Sequence, residues 1–164
     1  MSIQIRRATV RDCGDMIRLL EQIAYHHHRL RPDIYRNSGA KYGQTELLEI
    51  LSDPDAPILV ATEEGAFLGY AFCRLQRTEG DILLQDRTVL YLDDLCVDES
   101  IRGKGIGKVL FQAVKDLAIS LNCDAVELNV LMENASAVQF YLSRGMKTQK
   151  CRMELSLKEI ERPE

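Results

Sequence analysis

No stretch of this 164-residue chain is long and apolar enough for a membrane span, and the opening MSIQIRRATVR is too charged for a secretory h-region. A soluble, cytoplasmic protein without a membrane partner is therefore expected. Cysteine is sparse and badly spaced for bridging. The five (Cys13, Cys73, Cys96, Cys123, Cys151) are odd in number, scattered and without a C-x-x-C pair, which argues against a disulfide framework or a zinc knuckle. Positive charge is short as well: a net charge of -4 leaves no general basic surface for nucleic acid and mildly favours a cationic substrate. Repeats, low-complexity tracts and long linkers are missing, so residues 1–164 read as one domain of ordinary globular composition, 46% hydrophobic and 28% charged.

Glycine and cations concentrate in one place. The stretch SIRGKGIGKVLFQAV, residues 100–114, brings Arg102, Gly103, Lys104, Gly105, Ile106, Gly107 and Lys108 together just ahead of an unbroken helical pattern from Ile106 to Leu121. Glycine weakens helix and strand alike, so three at alternate positions imply close approach to the main chain, and the cations imply that the visitor is anionic. A helix N-terminus adds unpaired N–H groups and the positive end of the helix dipole. Neither a Walker A loop nor the G-x-G-x-x-G dinucleotide fingerprint fits this spacing.

Around the loop the chain alternates between the two periods. Strands are expected over 3–7, in a hairpin of APILVAT and AFLGYAFCRL, over 89–97, in DAVELNV and in KTQKCRMEL. Helices are expected from Asp12 to about residue 28, over 45–51, after the glycines, and over 134–144 with Gly145 as its stop.

R-x-x-G-x-G between a strand and an amphipathic helix resembles the acetyl-CoA pyrophosphate loop of the GCN5-related N-acetyltransferases (GNAT). The segment ENASAVQFYLSRGM, 133–146, is similar to that family's second motif: an asparagine opening a helix, small residues, then F-Y-x-x-x-G. IRRATVRDCGDMIRLLEQIA and YLDDLCV look like segments of spermidine/spermine acetyltransferases. The resemblance implies an α/β (α+β) fold with a mixed sheet of six to seven strands and about four helices on both faces. It implies acetyl-CoA as cosubstrate and acetyl transfer to a primary amine by direct attack in a ternary complex. The amine acceptor would be a small molecule or a protein, and the enzyme a homodimer. The alternative is a CoA-binding regulatory or interaction module without catalysis.

The resemblance also distributes roles. The main chain at 103–108 would hold the pyrophosphate, aided by Arg102, Lys104 and Lys108, while the main chain of Leu95, Cys96 and Val97 would bond pantetheine. Asn134 and Ala137 would border the cofactor, with helix capping as the competing role of Asn134. Tyr141 would touch the cofactor and act as general acid, with core packing as its other reading. Asp93 and Asp94 interrupt an apolar strand, where carboxylates are costly to bury, and are the candidate bases, with a hydrogen-bonded structural pair as the other reading; Asp93 would also face the acceptor. His26 and His27 would line the acceptor site. Consecutive helical histidines point about 100° apart, so His26, His27 and His28 cannot converge on one metal ion, and no metal is expected. Cys96 has no histidine near it in sequence, which disfavours an acetyl-cysteine route. The irregular stretch 29–44 is expected to form acceptor wall or dimer contact.

Overall fold

The computed structural model describes residues 2–158. The expected domain, 1–164, extends past them at both ends. Strand β1 (Gln4–Arg7) leads through a short turn to α1 (Cys13–Leu30), followed by α2 (Gln44–Ser52) and the antiparallel strands β2 (Ile58–Glu63), β3 (Ala66–Thr78) and β4 (Arg87–Val97). Helix α3 (Ile106–Ser120), β5 (Ala125–Glu127) and α4 (Ala135–Ser143) complete the ordered elements. Among the described residues the sheet has five strands in the order β1-β2-β3-β4-β5, antiparallel except for the parallel β4–β5 pair.

Period-two alternation sorts the strand side chains between two helical layers. Ile58, Val60, Tyr70 and Phe72 face α1 and α2, where Met16, Leu19, Leu20 and Leu47 are fully buried. Leu59, Ala61, Ala71 and Cys73 face α3, whose Ile106, Leu110, Phe111, Val114 and Ala118 follow the expected helical stripe. Strands β3 and β4 approach closely where Gly69 pairs with Val97: a Cβ on Gly69 would stand 2.6 Å from the Cys96 carbonyl oxygen.

Two expectations need correction. The sheet does not reach six to seven strands among the described residues, and KTQKCRMEL, expected as the last of them, adopts no strand. The strand expected over DAVELNV is confined to Ala125–Glu127. Alternation predicts an amphipathic extended segment, but a strand also needs a neighbouring strand, and 147–155 is not part of the sheet among the described residues. No helix is long and apolar enough to cross a membrane, and no group of three or more metal-ligating side chains occurs among the described residues.

Candidate active site

The site begins with a bulge. On β3, Phe72 pairs with Asp94 and Cys73 with Leu92, leaving Asp93 as an extra residue on β4. The extra residue reverses the strand's parity. Leu90 and Leu92 face α3 before it, whereas Leu95 and Val97 do so after it. Asp93 and Asp94 consequently both turn toward the α1/α2 side, although they are adjacent in sequence.

Each carboxylate has its own partners there. Asp93 Oδ2 accepts from the Lys41 ammonium at 2.7 Å and from the Tyr42 hydroxyl at 2.9 Å. Asp94 Oδ2 accepts from the hydroxyl of the fully buried Tyr70 at 3.0 Å. Burial raises the Asp94 carboxyl to about 6, with the Asp93 charge adding to it and the Tyr70 hydrogen bond and Lys41 charge opposing it. Burial, then the Asp94 charge, also raises the Tyr141 hydroxyl, which puts Tyr141 within electrostatic reach of Asp94. Tyr141 arrives from the other side of the sheet, on α4, with its ring against Phe111 and Phe140. Among the described residues its hydroxyl makes no protein hydrogen bond, so it is available to a ligand.

Beyond the bulge β4 loses one neighbour. Parallel pairing with β5 covers only Val89–Tyr91, so among the described residues 92–97 have β3 on one side and no paired strand on the other. Just past this open edge lies the glycine loop. Gly103 and Gly105 hold φ values of 86° and 79°, the left-handed region that disfavours side chains, and no side chain caps α3 at Gly105. The first-turn N–H groups, Ile106, Gly107 and Lys108 among them, lack intrahelical acceptors as in any α-helix, and the exposed Arg102, Lys104 and Lys108 surround them with positive charge. The Phe140 ring of α4 lies against Gly107 at the start of α3, at ordinary contact distance from where a Cβ would stand, 3.6 Å.

Asn134 is the N-cap of α4: its side-chain oxygen accepts from the Ala137 N–H at 3.3 Å and the Ser136 hydroxyl at 3.1 Å. Both Asn134 and the Ala137 N–H are thus engaged in holding the helix start. Cys96 is buried with its thiol pushed up to about 12, chiefly by burial, so it is a poor nucleophile at neutral pH. His27 packs on Tyr35 at 5.2 Å, and its pKa is lowered by burial and then by the neighbouring His26 and Lys41. His28 instead faces the Tyr35 carbonyl at 2.8 Å. His27 and Lys41 therefore border one region, while the three histidines do not gather.

Several partners escape sequence reading. Lys41 and Tyr42 sit in the irregular stretch, where no periodicity fixes direction, and Tyr70 reads as one more apolar strand residue. Arg31 is nearly buried and forms ion pairs with Asp33 at 2.6 Å, Glu154 at 2.7 Å and Glu133 at 3.3 Å, tying the end of α1 to the α4 entrance and the C-terminal segment. An arginine directly before proline at the end of a helix was the only local signal for it.

Residues 22–146 match the model of the acetyltransferase (GNAT) family. The chain is 27% identical over 153 residues to thialysine N-epsilon-acetyltransferase of Bos taurus, covering 87% of this chain and 83% of that protein. It is 31% identical over 150 residues to peptidyl-lysine N-acetyltransferase YjaB of Salmonella typhimurium, covering 90% and 85% respectively. A crystal structure of a mutant BH1408 protein from Bacillus halodurans superposes with a TM-score of 0.90 at 35% identity, covering 94% of this chain and 99% of that one.

Proposed function

The chain belongs to the GNAT acetyltransferase family, and from that premise we propose that it acetylates the primary amine of a lysine-like acceptor, with acetyl-CoA as cosubstrate. One observation carries the choice of acceptor: a primary alkylammonium, that of Lys41, is held 2.7 Å from Asp93 Oδ2. A substrate ammonium has the same charge and hydrogen-bond donors. The names of two relatives, a thialysine and a peptidyl-lysine acetyltransferase, point to the same amine class.

The residues present suit acetyl-CoA, which when bound supplies the acetyl thioester. The N–H groups at 103–108, with Arg102, Lys104 and Lys108, suit the pyrophosphate, and the open edge of β4 at Leu95, Cys96 and Val97 suits the pantetheine amides. Asp93 attracts and orients the ammonium. Asp94, with its carboxyl raised to about 6, is ionised at neutral pH yet basic enough to take the amine's proton directly or through water. Tyr141, whose hydroxyl stays protonated, supplies the proton that the departing thiolate needs. His27, kept neutral by its surroundings, borders the acceptor together with His26. A cytoplasmic location accords with a need for acetyl-CoA.

Thiol release from acetyl-CoA, measured over a panel of primary amines, tests this. Turnover with a lysine-like or diamine acceptor, lost on removing its terminal amine, is the expected result. Binding of CoA, seen as a raised melting temperature, with no turnover on any amine would overturn the transferase reading while leaving the cofactor site standing.

A further inference from the structure

One amine of the chain itself lies at the place proposed for the acceptor. Lys41 Nζ stands 2.7 Å from Asp93 Oδ2 and shares that oxygen with the Tyr42 hydroxyl. It is also within electrostatic reach of Asp94, since each of the two charges shifts the titration of the other. Asp94 is in turn within reach of the Tyr141 hydroxyl. A primary amine, the carboxylate that orients it, and the base and acid of the proposed transfer thus belong to one cluster.

The residue type adds to the geometry. Every other Lys or Arg before Lys104 is an arginine, and Arg6 and Arg77 each grip an aspartate with two N–H groups. Arginine is the better partner for a carboxylate where the pairing is structural, because its planar fork offers two parallel donors and a charge that is never lost. An amine beside Asp93 offers something else: a nucleophile, once a proton is removed. Burial lowers the pKa of this amine, but the hydrogen bond and charge of Asp93 outweigh that and raise it overall. The resting group is therefore an ammonium, and its reaction waits on proton removal as a substrate's would. Its side chain is 47% exposed, on the irregular stretch before α2, so no packed core holds it in place.

We propose that Lys41 is itself an acetyl acceptor, modified by its own chain when no amine substrate occupies Asp93. The proposal rests on the acetyltransferase reading. The Lys41 nitrogen bonds to the acetyl carbonyl carbon as the carbon–sulfur bond breaks, giving an acetylated Lys41 and the CoA thiol. The ammonium sheds two protons by way of Asp94: one makes good the proton that Tyr141 gives to the departing sulfur, and the other leaves to water. The product amide carries no charge. Asp93 Oδ2 then keeps the Tyr42 hydroxyl and is left to an incoming ammonium.

The test uses the full chain, checked by intact mass to be free of acetyl groups at the outset and then incubated with isotopically labelled acetyl-CoA without added amine. Intact mass and peptide mapping should show one acetyl group per chain, on Lys41, with the fraction modified at a given time independent of protein concentration. Lys41→Arg keeps the charge but has no amine to acylate, and should gain no acetyl group. Turnover of an added lysine-like amine while Lys41 stays unmodified would overturn the proposal and leave the acetyltransferase reading standing. A chain that neither modifies Lys41 nor acetylates any amine would overturn both. Label spread evenly over the other lysines, equal labelling of Lys41→Arg, or a modified fraction that rises with protein concentration would also overturn the proposal.

Discussion

The two ends of the sheet are built to different standards. Among the described residues every buried side chain lies at or before Ala118, and nine large residues there are essentially inaccessible, from Met16 to Val114. After Ala118 come β5, α4 and the C-terminal segment, in which nothing is buried and Met132, Met153, Leu155 and Leu157 stand exposed. The site lies on the seam, with Asp93 and Asp94 on the packed part and Tyr141 on the open one. The packed part fixes where the carboxylates point, whereas the open part is the one that a bound ligand can tighten. If the proposed roles hold, two carboxylates on a rigid frame facing an acid on a more yielding element suit a reaction in which a large cosubstrate must enter and leave.

The largest expected effect tests the contrast itself. Leu110→Ala on α3, at 0% exposure, should cost about 2–5 kcal/mol in urea unfolding, through lost burial and the cavity left behind. Leu142→Ala on α4, at 46% exposure, should stay within about 0.5 kcal/mol. Equal losses would show that α4 is as firmly packed as α3 and would erase the distinction.

Across the seam, Tyr141→Phe should reduce kcat roughly 10²-fold while CoA affinity, measured by calorimetry, hardly changes, since a single acid–base group is removed. An unchanged kcat would return Tyr141 to a packing role beside Phe111 and Phe140.

Asp94 should betray itself through pH. In the folded chain its carboxyl keeps a proton up to about 6, against about 3.9 for an unperturbed aspartate. Between those values the native state binds more protons than the unfolded one, so this group's contribution to stability falls as pH rises through the window and stays unfavourable above it. Asn keeps an acceptor for Tyr70 but carries no charge. Asp94→Asn should therefore melt a few degrees higher than wild type at pH 7.5, with the gain gone below pH 4, and should lose the acidic limb of kcat/KM near pH 6. Asp93→Asn should keep that limb and raise the KM of the amine. The reverse pattern would make Asp93 the base.

How much of this was legible depends on what periodicity can report. The α3 stripe, the glycine loop and the α4 boundaries are local, and the sequence carries them in full. The bulge left a trace: apolar positions 90 and 92 give way to 95 and 97, a change of phase across Asp93–Asp94 that marks an inserted residue. Lys41 and Tyr42 left none, because they reach Asp93 across 52 and 51 residues from an irregular stretch with no repeating direction. The alternation at 151–157 was equally clear, but alternation specifies an amphipathic strand and not the strand beside it. A sixth strand was therefore expected, and none forms among the described residues.

The smallest effect probes Lys41, the cation that sits where the proposed acceptor ammonium would bind. Its ammonium pairs with Asp93 while its side chain remains 47% exposed, so the contact is a surface ion pair of the kind typically worth about 0.2–1 kcal/mol. An incoming ammonium must displace it, and removing it frees Asp93 Oδ2 at one of its two contacts while the Tyr42 hydroxyl still holds the carboxylate in position. Lys41→Met keeps much of the chain's apolar bulk and removes the charge. It should lower the KM of a primary amine by up to about fivefold, the equivalent of about 1 kcal/mol, with kcat little changed. The gain should shrink at high salt, because the exchange of one ammonium for another near the surface is screened. A KM that rises instead would mean that Lys41 orients Asp93 for the substrate and does not compete with it.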